Sequence, residues 1–179
     1  SKATFERQGK STPDVYGGIH NMVSYKNFDL NVQINYTLGG KVYDGIYANM
    51  MSEGNTMGSN LHKDELKAWT TKGQQTSVPR YVVNNSNSSN SLSTRFLYDA
   101  TNVRLANVTL SYRLPSNLGL LSKVISGAKV YVSGDNLFTW FSSDWKGYDD
   151  IDIYGVQGYN SYPSIPTPRS FTVGVNVTL

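Results

Sequence analysis

Seven aromatic residues, Trp140, Phe141, Trp145, Tyr148, Tyr154, Tyr159 and Tyr162, fall within 23 positions of the 179-residue chain. Asp144, Asp149, Asp150 and Asp152 lie among them. Rings beside carboxylates and amides suit sugars, which offer CH faces to stack and hydroxyls to bond. Trp145, Tyr148, Asp149 and Tyr154 are the candidate ligand-binding residues on this reading. Two other roles compete for the same rings: an aromatic belt at a membrane interface, or packing of the loop on itself. The aspartates match no EF-hand spacing, so a solvated loop outweighs a calcium site.

The remaining residue types argue against catalysis. His20 and His62 are far apart and share no metal-ligand spacing. Ser24, Ser111 and Ser133 lack the partnered histidine and acid that activate a nucleophile. With no cysteine there is no disulfide framework, thiolate zinc site or thiol nucleophile. No enzyme activity, metal or cofactor is expected. The glycosylation-type triplets at Asn35, Asn107 and Asn176 fall in strand patterns and are chance matches. A net charge of +3 without a Lys/Arg run points away from nucleic acid.

Hydrophobic residues make up 39% of the chain and charged residues 16%, against roughly 45–50% and 25% in soluble domains. Asn, Ser, Thr, Gly and Tyr fill the gap, with 13 tyrosines and 16 glycines. This balance suits strands with one apolar face and one uncharged polar face. No apolar run reaches the roughly 18 residues of a transmembrane helix, which leaves barrel strands untouched because they alternate. The start, SKATFERQGKSTPD, has no charged head followed by an apolar core. The expectation is that the beginning of the gene product is missing.

The elements that position these residues are strands. From Phe28 to Leu38, Phe, Leu, Val, Ile, Tyr and Leu alternate with Asp, Asn, Gln, Asn and Thr. Eleven residues of period 2 is a strand of membrane-spanning length, about 9–11, where soluble strands average about 5–6. Phe171 to Leu179 alternates in the same way. Val15 to Tyr25, Val103 to Leu114 and Ala128 to Thr139 complete five strands. The apolar phase of Val103 to Leu114 changes midway, which predicts a β-bulge near Ala106–Asn107.

Lys26-Asn27 is a short turn, and 115–127 is a short connection with a helical turn expected at Leu118–Val124. The connections 39–102 and 140–169 are long. Soluble domains rarely contain a loop of about sixty residues, whereas short turns on one side and long loops on the other characterise outer-membrane barrels. A helix over Leu61–Trp69, capped by Asn60, is expected inside the first long connection. Asn84–Ser91 is low-complexity. No internal repeat or domain boundary stands out. The fold class is therefore all-β, an antiparallel transmembrane β-barrel segment of about five long strands. The alternative is a soluble β-sandwich carbohydrate-binding module, with the apolar faces turned inward. Strand length and loop asymmetry favour the barrel.

Several segments, in order, resemble the SusC/RagA family of TonB-dependent outer-membrane transporters. They are Ser11-Thr-Pro-Asp-Val-Tyr-Gly-Gly18 with Tyr25-Lys-Asn-Phe-Asp-Leu30, then Ala68-Trp-Thr70 and Val78-Pro-Arg80. Arg95-Phe-Leu-Tyr-Asp99 with Val103-Arg-Leu-Ala-Asn-Val-Thr-Leu-Ser-Tyr-Arg-Leu-Pro115 is the strongest piece. Val130-Tyr-Val-Ser-Gly-Asp-Asn-Leu137, Lys146-Gly-Tyr-Asp149 and Pro166-Thr-Pro-Arg-Ser-Phe-Thr-Val-Gly-Val-Asn-Val177 follow. Tyr148 and Asp149 lie in one of these strings, and Trp145 and Tyr154 lie outside them. The resemblance implies the C-terminal part of a 22-stranded barrel, with the plug domain and remaining strands absent from this chain. It implies a place in the cell outer membrane, embedded in the lipid bilayer. It also implies TonB-dependent import of an oligosaccharide or peptide, and a SusD-like surface lipoprotein as partner. Such barrels usually end on an aromatic residue; the last residue here is Leu179.

Overall fold

The computed structural model describes residues 6–86, 88–115, 126–145, 159–160 and 167–178. Its strands are β1 (Val15–Tyr25), β2 (Phe28–Leu38), β3 (Lys41–Asp44), β4 (Leu97–Asp99), β5 (Asn102–Arg113), β6 (Gly127–Phe141), β7 (Tyr159–Asn160) and β8 (Ser170–Thr178). One short helix, α1, covers Gly45–Met50. Chain contacts divide these into two compact units. One holds residues 13–39, 101–142 and 166–179, and the other holds 1–12, 40–100 and 143–165.

The first unit is the wall, a five-stranded antiparallel sheet in the order β1-β2-β5-β6-β8. The five predicted strands are all present. Asn102–Arg113 lies one residue earlier than expected, and Gly127–Phe141 runs past Thr139 to include Trp140 and Phe141. The two-residue turn between β1 and β2 places Lys26 in the left-handed region, at φ 54. The expected bulge is also present. Asn107 pairs with Gln33, but Leu105 already pairs with Ile34, leaving Ala106 as the extra residue. The β5–β6 ladder shifts at the same place, between Leu105 and Asn107. The extra residue restores Val103 and Leu105 to the face that holds Val108 and Leu110.

Close cross-strand packing needs glycine at one position in particular. Gly174 pairs with Tyr131, and an added Cβ there would come within 2.4 Å of the Tyr131 ring. The ring lies over the glycine backbone and covers it, a device that offsets a glycine's lack of side chain in a strand.

The second unit is built on a three-stranded sheet, β4-β3-β7, with β3 and β7 parallel. Asp44 ends β3 and caps α1, its carboxylate accepting the Tyr47 N–H at 3.0 Å. Val42, Tyr43, Tyr47, Ala48, Met51, Ala68, Val78, Phe96 and Tyr98 form its core. Among the described residues, every buried apolar side chain belongs to this unit.

The expected helix over Leu61–Trp69 is instead a 3-10 turn, Lys63–Lys67, capped by His62 rather than Asn60. Its burial explains the difference. Leu66 is 91% exposed and Leu61 is exposed too, whereas Asp64 and Glu65 point inward. The inward face is acidic, so the apolar periodicity that would hold an amphipathic helix is missing. The helical turn expected at Leu118–Val124 lies outside the described residues.

Candidate functional site

The wall presents two unlike faces, which can be read from its register because directly paired residues share a face. Val23, Leu30, Leu110, Val132 and Val173 form one continuous row across all five strands. Tyr25, Phe28, Tyr112, Val130 and Val175 form the row nearest the Lys26 turn. Near the other end of the face, Ile19, Ile34, Leu105 and Phe138 are in line, and Gly17, Tyr36, Val103 and Trp140 follow. Phe28 and Tyr112 pack at 4.7 Å, and Phe138 meets Trp140 edge-to-face at 4.4 Å. This face therefore carries aromatic rings at both ends and aliphatic side chains between. Among the described residues of this face, Ile19 is 58% and Val173 72% exposed.

The opposite face is polar and largely uncharged. His20, Gln33, Asn107, Asp135 and Ser170 make one row, and Met22, Asn31, Thr109, Ser133 and Thr172 the next. The Asn107 amide donates to Asp135 at 2.6 Å and to Ser133 at 2.9 Å. Thr109 donates to the Asn107 carbonyl oxygen at 2.9 Å, and Ser170 to Asp135 at 3.3 Å. Nearer the Lys26 turn, Asp29 accepts from Ser24 at 2.6 Å and from Arg113 at 2.8 Å. Cross-strand partners thus satisfy much of this face, which leaves a hydrogen-bonding surface with little net field.

The loop unit holds the residues with chemical potential beyond wall-building. Glu53 is 0% exposed and pairs with the Arg95 guanidinium. Arg95 also lies over the Phe96 ring, 4.8 Å from its centre. Glu65 accepts the Glu53 backbone N–H at 2.9 Å. Asp64 accepts from the Tyr47 hydroxyl at 2.9 Å and from Lys67 at 2.6 Å, and these bonds, the lysine's foremost, hold its carboxyl below the usual range. Burial pushes the Asp44 carboxyl up. Burial likewise raises the Tyr47 hydroxyl and brings the Tyr98 hydroxyl to about 12, so both hydroxyls stay neutral, and that of Tyr47 donates to Asp64.

Of the candidate ligand residues, Trp145 belongs to this unit and packs edge-to-face on Tyr98, with ring centres 5.8 Å apart and planes at 87°. Tyr148, Asp149 and Tyr154 lie outside the described residues. Trp140 and Phe141 belong to β6 rather than to the loop, and Trp140 sits on the apolar face. The backbone of Tyr159 pairs with Tyr43 in the small sheet. Glu53, Glu65 and Arg95 were not singled out by sequence reasoning. The one available signal was Arg95 opening the Arg-Phe-Leu-Tyr-Asp string.

No family model matches the chain. It is 31% identical over 181 residues to TonB-dependent receptor P3 of Formosa agariphila, covering 94% of this chain and 17% of the relative. It is 30% identical over 180 residues to TonB-dependent receptor P26 of the same organism, covering 95% and 17%. The RagAB peptide importer in its closed-closed state aligns over 96% of this chain and 18% of that chain, with a TM-score of 0.78 and 26% identity. The chain thus spans about a sixth of the length of these relatives. An antiparallel wall with one exposed apolar face and likeness over nearly its whole length identify this chain as a SusC/RagA-type segment of a TonB-dependent receptor.

Proposed function

We propose that the chain forms part of the barrel wall and extracellular loops of an outer-membrane transporter that imports oligosaccharide or peptide. TonB supplies the energy, and a SusD-like lipoprotein is the partner. On this reading the chain is the C-terminal part of a 22-stranded barrel whose plug and other strands lie outside it. The observation that carries the proposal is the wall's exposed apolar face, bounded by aromatic rows. Eight residues separate Phe28 from Tyr36 on β2, about 27 Å at roughly 3.4 Å per residue. A strand tilt of about 40° reduces this to about 21 Å, comparable with the roughly 25 Å apolar band of outer-membrane barrels. A soluble sandwich would bury that face against a second sheet. Among the described residues, the buried apolar cluster lies in the other unit.

Trp145, Tyr148, Asp149 and Tyr154 are proposed to contribute to ligand binding in the assembled transporter, with rings stacking on cargo and the acid accepting hydrogen bonds. Trp145 is offered as a partly exposed ring braced by Tyr98. The experiment is uptake by cells carrying the complete gene, with TonB or the neighbouring lipoprotein deleted in turn. The expected result is a heat-modifiable outer-membrane protein whose uptake of oligosaccharide or peptide is lost without TonB. Uptake that continues without TonB, or a protein recovered in the soluble fraction, would refute the proposal. Replacing Trp145 and Tyr154 together by alanine should weaken ligand binding about tenfold if both rings stack, at roughly 0.5–1.5 kcal/mol each. Unchanged affinity in a folded barrel would remove the ligand role and leave the aromatic-belt reading.

A further inference from the structure

Glu53 is held inside the loop unit by its backbone. Its φ is 51 and that of Gly54 is 95, both left-handed. A Cβ at Gly54 would fall 2.1 Å from the Val82 carbonyl oxygen, so only glycine fits there. The carbonyls of Glu53 and Gly54 accept the N–H groups of Val82 and Asn84 at 3.1 and 2.8 Å. These bonds fix the turn against the 82–85 segment and leave the Glu53 side chain pointing into the unit.

Two acids share this interior with one guanidinium. Arg95 pairs with Glu53 Oε1, and Glu65 Oε1 takes the Glu53 N–H. Glu53 Oε2 and Glu65 Oε2 are both buried and without a hydrogen-bond partner among the described residues. With both acids ionised, the group would carry one uncompensated negative charge in a buried site, which is costly. Keeping a proton on one carboxyl removes that charge. Glu65 is the natural holder, because the guanidinium is spent on Glu53.

We propose that Glu53, Glu65 and Arg95 form a pH-sensitive latch, in which a proton on Glu65 keeps the loop unit closed on itself and its loss loosens the unit. Burial pushes the Glu65 carboxyl above its ordinary value and the charge of Glu53 adds to the effect, while the Glu53 backbone N–H bond and Arg95 oppose it without cancelling it. Other titratable groups face the same region. Asp64, beside Glu65 on the turn, is held ionised by Lys67 and Tyr47, with His62 Nδ1 at 3.4 Å. Asp44, at the cap of α1, is also raised by burial and acts in the same direction. A carboxyl raised in the folded state adds stability that is complete below its unfolded value. That stability is lost as pH climbs through the folded value. The latch therefore holds in acid and loosens as pH rises above the ordinary carboxylate range.

The test is hydrogen exchange on the complete receptor in detergent across a pH series, corrected for the intrinsic rate, following peptides from 50–67 and 82–97. In the wild type, protection should fall with rising pH by up to about tenfold per unit, the limit for one proton. Glu65→Gln, which keeps the buried volume without the charge, should lose most of that slope and keep only the smaller part that Asp44 contributes. Glu53→Gln, which removes the competing charge, should show a smaller pH dependence. A wild-type slope that survives in both variants would overturn the latch. So would protection in the wild type that does not change with pH. If Glu65→Gln fails to fold, Glu53→Gln decides alone: an unchanged slope there refutes the proposal. Because the readout is exchange and not uptake, the result stands whether or not the import reading holds.

Discussion

In the wall, Ile19, Val23 and Val173 stand exposed while Asn107, Asp135, Ser133 and Thr109 bond one another on the opposite face. In the loop unit the arrangement is the familiar one for apolar groups, with Met51 and Phe96 at 0% exposure. It is unusual for charged ones, since Glu53 is buried as completely. One chain therefore obeys two different solvation rules. The wall's apolar face gains nothing in water and suits lipid. The loop unit excludes water from its own interior and must neutralise what it buries.

This contrast has consequences for substitution, the largest in the loop unit. Arg95→Ala leaves Glu53 as an uncompensated buried charge, so the unit should lose about 3–5 kcal/mol. Exchange or limited proteolysis should show 50–67 and 82–97 opening, while the barrel keeps its heat-modifiable mobility. Loss of both together would mean that the wall depends on the loop core. Ile34→Arg should cost about 2–4 kcal/mol near the bilayer midplane, and Asn35→Arg, one residue on, much less. Urea titration of the barrel in bilayers measures both, and equal penalties would mean that both faces of β2 meet the same solvent. The smallest effect is expected at Tyr98 and Trp145. A double-mutant cycle to alanine should give a coupling of about 0.5–1.5 kcal/mol. Zero coupling would remove the ring contact as a source of loop stability.

The same contrast governs what the sequence reveals. Strands β1, β2, β5, β6 and β8 are legible because each is nine or more residues long and its two faces have different solvents, so alternation has room to accumulate. Even the Ala106 bulge shows, because one extra residue inverts that alternation. The loop unit hides its structure for the opposite reason. β3 and β4 are four and three residues long and α1 is six, too short for any period to accumulate. Around residue 65 the buried face is made of Asp64 and Glu65 while Leu66 points outward, which inverts the rule that places helices. Glu53 depends on a left-handed backbone and on a partner 42 positions away, and no local pattern encodes that. Of the proposed ligand residues, the aromatic composition was legible. The bracing of Trp145 by Tyr98 was not, since the two rings are far apart in sequence.

Single cysteines placed one at a time at Asn31, Val32, Gln33, Ile34 and Asn35 exploit a segment that has no cysteine of its own. Spin labels at these positions, in the complete receptor reconstituted into bilayers, report collision with oxygen dissolved in lipid or with a water-soluble nickel chelate. Alternation is the predicted outcome: Val32 and Ile34 favour oxygen, while Asn31, Gln33 and Asn35 favour the chelate. Five positions with the same preference, or an alternation of the opposite phase, would contradict a wall with lipid on its apolar face.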